Sequence, residues 1–157
     1  MKSLYNMMEF IKWIFFVSRP RIWIYTAGSF AMGVLMAAEN YEPLFKADLL
    51  PLFLWLTLPA NLFLYSINDV FDYKTDLKNP KKDGFENRAS ETERGKLILA
   101  GIIACLPLIF IFGGLPFEAK SMVVLWFFLL LTNNLPPFRF KAIPLHAFGF
   151  SFNFQLW

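Results

Sequence analysis

The sequence predicts an all-α integral membrane protein, a bundle of transmembrane helices with about four complete spans and part of a fifth. Three observations carry that prediction. Of 157 residues, 57% are hydrophobic and 17% charged, whereas charged residues make up about a quarter of an ordinary soluble domain. Apolar runs close to the roughly 20 residues needed to cross a bilayer recur along the chain. Basic residues concentrate in alternate connections between those runs. The same composition, with 20 Phe and a net charge of only +3, excludes a disordered tail or a nucleic-acid-binding arm, neither of which can carry so much apolar surface. Membrane lipid is therefore the expected surrounding, and no nucleic acid partner is expected.

The elements follow in chain order. Leu4 to Val17 places Lys2, Glu9 and Lys12 around Met, Ile, Trp and Phe, the pattern of an interfacial amphipathic helix. It leads through Ser18-Arg19-Pro20-Arg21 into a first span, Ile22 to Ala38. The second span, Leu49 to Ile67, is interrupted only by Pro51, Pro59 and Asn61, and the third, Leu97 to Leu115, carries Pro107 as an expected kink. A short fourth runs from Ser121 to Leu135, and a fifth begins near Ala142 and is still apolar at Trp157. The absence of a polar flank there reads as the amino-terminal part of a longer protein. No small-residue cleavage site follows a short apolar core, so no removable signal peptide is expected. Cys105 lies alone in an apolar run and reads as filler.

Every basic residue except Lys46 and Lys120 falls in the amino-terminal segment, the second-to-third connection or the fourth-to-fifth. The positive-inside rule then puts the amino terminus and both of those connections in the cytoplasm. The chain is expected to form one transmembrane domain over 1–157, with 1–21 as the interfacial helix and approach to the first span and 68–96 as a cytoplasmic loop bearing acidic residues.

That acidic segment is the informative one. It reads Asn68-Asp69-Val70-Phe71-Asp72-Tyr73-Lys74-Thr75-Asp76 and begins where the second span ends. At about 100° per residue, Asp69, Asp72 and Asp76 fall within a sector of about 60° if the helix continues, and Asn68 lies one turn before Asp72. Three carboxylates and an amide oxygen facing one way at a membrane boundary repel one another unless a cation neutralises them. Mg²⁺ accepts carboxylates while keeping waters and phosphate oxygens, so the expectation is a Mg²⁺-diphosphate site opening from the bilayer. The alternative is a solvated loop whose acids balance its bases. Asn61, two turns before Asn68, either faces the same cavity or makes a helix–helix hydrogen bond.

Asn68-Asp69-x-x-Asp72-x-x-x-Asp76 is similar to the first aspartate-rich motif, NDxxDxxxD, of the UbiA superfamily of intramembrane prenyltransferases. Ser18-Arg19-Pro20, Asn79-Pro80-Lys81-Lys82 and Pro136-Pro137-Phe138-Arg139-Phe140-Lys141-Ala142-Ile143-Pro144 extend the likeness. The last resembles the PPxRFKxxP connection of the branch that includes lycopene elongases. The resemblance covers the front half of a family member of about nine spans. The family's second motif, DxxxD, is not within these residues, Asn133 stands where a tyrosine often precedes PPxRFK, and Ala147 stands where an acid is expected.

The resemblance implies a UbiA-like transmembrane bundle and Mg²⁺-dependent transfer of an isoprenyl group from an allylic isoprenyl diphosphate to a lipophilic acceptor. It implies Asn68, Asp69, Asp72 and Asp76 as metal ligands, the three aspartates as the catalytic set, and Asn68, Lys81, Arg139 and Lys141 as diphosphate contacts, with Lys82 a further candidate. Arg19 could reach the diphosphate or anchor the first span, and His146 could act as a base or simply pack. Phe63, Tyr65, Phe71, Tyr73 and Phe138 are placed to offer ring faces to a carbocation. A carotenoid, a quinone precursor or a similar lipid is the expected acceptor, with the PPFRFK segment favouring a polyene. The competing reading is a catalytically incomplete membrane binding or assembly module derived from such an enzyme.

Overall fold

A computed structural model describes residues 2–38, 49–76 and 91–142, and within them every element is helical, with no strand. Helix α1 spans Lys2–Val17 and is followed by a 3-10 turn, Pro20–Ile22, and a π-helical turn, Ile24–Gly28, that leads directly into α2, Ser29–Ala37. Next come α3, Leu50–Trp55, and α4, Leu58–Asp76; a 3-10 turn at Glu91–Glu93 then opens α5, Arg94–Gly114. Helix α6, Phe117–Asn134, and a last turn at Phe140–Ala142 complete the described part. The expected fifth span lies outside the described residues. The chain divides into two compact units, Met1–Leu115 and Pro116–Trp157.

Two stretches are long and apolar enough to cross a membrane, Leu50–Tyr73 with 24 residues and Arg94–Gly114 with 21. At 1.5 Å per residue each exceeds the roughly 30 Å of a hydrocarbon core. Ile24–Ala37 is a shorter apolar helix. Helix α6 carries Glu118 and Lys120 in its first turn and Asn133 and Asn134 in its last, and is not among the two.

The first unit is organised by α4, which packs chiefly on α5 and also against α1. Val17, Leu62, Val70, Leu97, Ala100 and Ala104 form its buried cluster, with Trp13, Ile14 and Leu58 against it. Leu97, Ala100, Gly101 and Ala104 recur at helical spacing on the buried side of α5, and small residues there let two helices approach. At Gly101 the approach is tight, since a Cβ would sit 3.3 Å from the Ser66 Cβ and 3.7 Å from the Phe63 Cα. The other side of α5 presents Ile98, Leu99, Ile102, Ile103, Ile109 and Phe110 outward, as a lipid-facing surface would.

The segment 4–17, expected as an interfacial helix, is helical as α1, extended to Lys2 and carrying an exposed Lys12–Glu9 ion pair of 2.8 Å. Its Trp13, Ile14 and Val17 are part of the core, so α1 does more than lie at a surface. The second span is two helices, not one. Pro59 has no N–H to offer and its ring would meet the carbonyl four residues earlier, so the helix stops at Leu56-Thr57 and restarts. Helix α5 by contrast continues through Pro107. The segment expected to begin a loop at 68 remains helical to Asp76, because α4 carries the motif on its last turns.

Candidate functional site

The site is built where α1 turns back along α4. Ser18 is fully buried, its hydroxyl donates to the Phe15 carbonyl at 2.8 Å, and its own carbonyl accepts from the Trp23 indole at 3.0 Å. The next residue, Arg19, adopts a left-handed conformation, φ 49° and ψ 70°. A residue before proline is pushed out of the right-handed helical region, and Pro20 provides that push here. The left-handed region still costs a non-glycine residue on the order of 1 kcal/mol. In return the turn directs the Arg19 side chain across to α4.

There Arg19 Nη2 donates to Asp69 Oδ1 at 2.8 Å, and the guanidinium carbon lies 4.4 Å from the centre of the Tyr65 ring. The pair is largely withdrawn from solvent, with side chains 16% and 6% exposed. Among the described residues Asp69 is the one charged residue that is buried. Burying a carboxylate is costly unless a positive group accompanies it, and Arg19 supplies that group from the turn after α1.

Asn68, Asp69 and Asp72 all lie on α4, as the helical spacing requires, and Asn68 and Asp72 are half-buried. Asp76 closes the helix, and its side chain is outside the described set. Two carboxylates and an amide oxygen are hard oxygen donors of the kind Mg²⁺ takes together with waters and substrate phosphates. Among the described residues no third His, Cys, Asp or Glu side chain joins them. The set fits a divalent ion held by one or two carboxylates and a phosphate ligand, not a closed all-protein cage.

Arg94 braces the same helix from α5: its guanidinium donates to the Val70 carbonyl at 2.9 Å and lies 5.8 Å from the centre of the Tyr73 ring. In the sequence Arg94 is one of several basic residues of the second-to-third connection. Nothing in local spacing marks it, because its partner is 24 residues away.

Of the two readings of Asn61, the structure shows the hydrogen bond between helical elements. Its amide donates to the Thr26 hydroxyl at 2.7 Å and to the Leu56 and Thr57 carbonyls at 3.0 and 2.7 Å. Those two carbonyls lie at the break before Pro59, and Thr26 adds a 2.7 Å bond to Leu56. Within a membrane, exposed backbone groups must find partners inside the protein, so Asn61 and Thr26 make the break tolerable. Asn61→Leu is expected to lower stability by about 1–3 kcal/mol, seen as a drop in melting temperature in detergent; an unchanged melting temperature would remove this role.

In the second unit Arg139 also has a positive φ, 36°, and its N–H bonds back to the Leu135 carbonyl at 2.9 Å. Lys141 Nζ donates to Asn134 Oδ1 at 2.7 Å, and Asn134 Nδ2 in turn donates to the Leu130 carbonyl. The Lys141 ammonium therefore fastens the Pro136–Lys141 connection to the end of α6. Lys81, Lys82 and His146 lie outside the described residues.

The chain is similar to known proteins over most of its length. A lycopene elongase/hydratase of Halobacterium salinarum is 42% identical over 135 residues, 85% of this chain and 48% of the relative. One of Haloferax volcanii is 40% identical over 131 residues, 82% and 42%, and one of Corynebacterium glutamicum is 33% identical over 142, 88% and 47%. The chain spans about half the length of the curated relatives it matches. No protein-family model matches it, and no solved structure gives a significant match.

Proposed function

We propose that these residues belong to a UbiA-type membrane prenyltransferase that moves an isoprenyl group from its diphosphate to a carotenoid acceptor. The observation that carries this reading is Asp69, a buried carboxylate held against a cation at one end of an apolar helix long enough to span, within an Asn-Asp-x-x-Asp-x-x-x-Asp frame. Polar groups at that depth are costly and tend to mark function. The similarity to lycopene elongase/hydratases supports the carotenoid end of the acceptor range.

In this reading Asn68, Asp69, Asp72 and Asp76 hold Mg²⁺, which when bound neutralises charge on the departing pyrophosphate. The chain's own residues orient and enclose. Helix α4 aligns the carboxylates at its cytoplasmic end, and Arg94 holds that end to α5. Lys81, Arg139 and Lys141 would add positive charge toward the diphosphate. The multi-span bundle, with the amino terminus and acidic face on the cytoplasmic side, belongs to the same proposal.

The test uses the full-length protein in membranes with radiolabelled isoprenyl diphosphates and lycopene. Transfer to the carotenoid is expected, abolished by EDTA and restored by Mg²⁺. Transfer indifferent to EDTA would overturn the metal assignment. Diphosphate binding with no transfer to any lipophilic acceptor would favour a binding module.

A further inference from the structure

We propose that Arg19 is an internal counter-ion for the metal site, holding Asp69 while no divalent cation is bound and yielding the carboxylate when one arrives. The inference rests on the reading of Asp69 as a metal ligand. Arg19 comes from a separate element, fifty residues earlier, and reaches Asp69 only because the Ser18-Arg19-Pro20 turn adopts a backbone conformation unusual for arginine. The guanidinium bonds Oδ1 at 2.8 Å and rests 4.4 Å from the Tyr65 ring centre. It thus has a second stabilising surface, which remains when the carboxylate is withdrawn.

The electrostatic argument is one of substitution. With its side chain 6% exposed, the Asp69 carboxylate needs a positive charge beside it in every state. A guanidinium and a divalent cation on the same carboxylate would repel strongly at such short range in a medium of low permittivity. The two are therefore alternatives for Asp69. An arriving diphosphate offers the displaced guanidinium the planar, two-point contact that arginine makes best. Metal and diphosphate loading then support each other through one side chain, and the metal alone binds more weakly than its ligands would allow. Its apparent affinity is reduced by the fraction of molecules in which Asp69 is uncovered. Arg19 is accordingly a positioning residue, acting through Asp69.

The deciding measurement is Mn²⁺ binding to the full-length protein in detergent, without diphosphate, followed by the paramagnetic resonance signal of free Mn²⁺. Arg19→Gln is expected to bind Mn²⁺ about tenfold more tightly than wild type. Arg19→Lys keeps the charge but not the fork and is expected to bind roughly two- to threefold more tightly. In EDTA, Arg19→Gln should melt below wild type, and Mn²⁺ should raise its melting temperature by a larger increment. Asp69→Asn and Asp72→Asn should both bind more weakly. If the aspartate variants weaken binding while neither arginine variant tightens it, the counter-ion role is overturned and the metal site stands. If neither aspartate variant weakens binding, both fall. Should Arg19→Gln not fold, the Arg19→Lys titration decides alone.

Discussion

Asp69→Asn and Asp72→Asn are each expected to lower isoprenyl transfer by about 10³-fold, and to differ in what they do to the fold. On the proposed reading the loss of rate would follow from removing a carboxylate that holds the metal; several kcal/mol of transition-state stabilisation corresponds to about that factor. The difference follows from burial. Asp69 is the anionic half of a pair with Arg19 whose side chains are 6% and 16% exposed. The neutral amide removes a negative charge from beside the guanidinium, at a cost of about 2 kcal/mol. Asp72 is half-buried, and its change to Asn should cost less. Transfer assays on the full-length variants, with melting curves in detergent and EDTA, separate the two effects. Equal melting temperatures for both variants would mean that the Arg19–Asp69 pair contributes nothing to stability, and wild-type transfer in either would remove that residue from the site.

Trp55→Ala is expected to destabilise the first unit by about 3–5 kcal/mol, the range for truncating a buried large aromatic residue. Trp55 ends α3, is 3% exposed, and its indole Nε1 donates to the Ala104 carbonyl on α5 at 2.9 Å. It therefore fastens the short helix before the Pro59 break to the helix on which α4 packs. Trp55→Phe retains most of the bulk and loses the hydrogen bond, which should cost about 1 kcal/mol. Thermal melting of the two variants beside wild type checks this. A Phe variant as unstable as the Ala variant would assign the effect to the indole N–H instead of to packing.

The parts of the site legible in the sequence are those governed by local periodicity. Asn68, Asp69 and Asp72 stand on one helix because a 3.6-residue period places them there, and no tertiary contact is needed to deduce it. Pro51, Pro59 and Asn61 were visible in the second apolar run, but the sequence reading kept it as one span, whereas α3 and α4 are separate helices. Asn61 itself was legible as a costly polar group but not as the cap of the Leu56 and Thr57 carbonyls. That role depends on Thr26, thirty-five residues away. The bond from the Lys141 ammonium to Asn134 was not legible in the sequence, because it links the end of α6 to the turn at Phe140–Ala142.

By itself the sequence predicted that this chain is helical and strongly apolar, and that Asn68, Asp69 and Asp72 stand together near the end of one helix, as they do on α4. Hydrophobic content and helical spacing are properties of neighbouring residues, so they can be read without knowing the fold. Only the tertiary structure decided which charge accompanies Asp69, which residue tethers the motif to α5, and how closely α4 and α5 approach at Gly101. Each of these pairs residues far apart in the chain. The turn at Arg19 and the small residues on α5 bring them together, and the cost of an uncompensated buried charge requires a cation at Asp69.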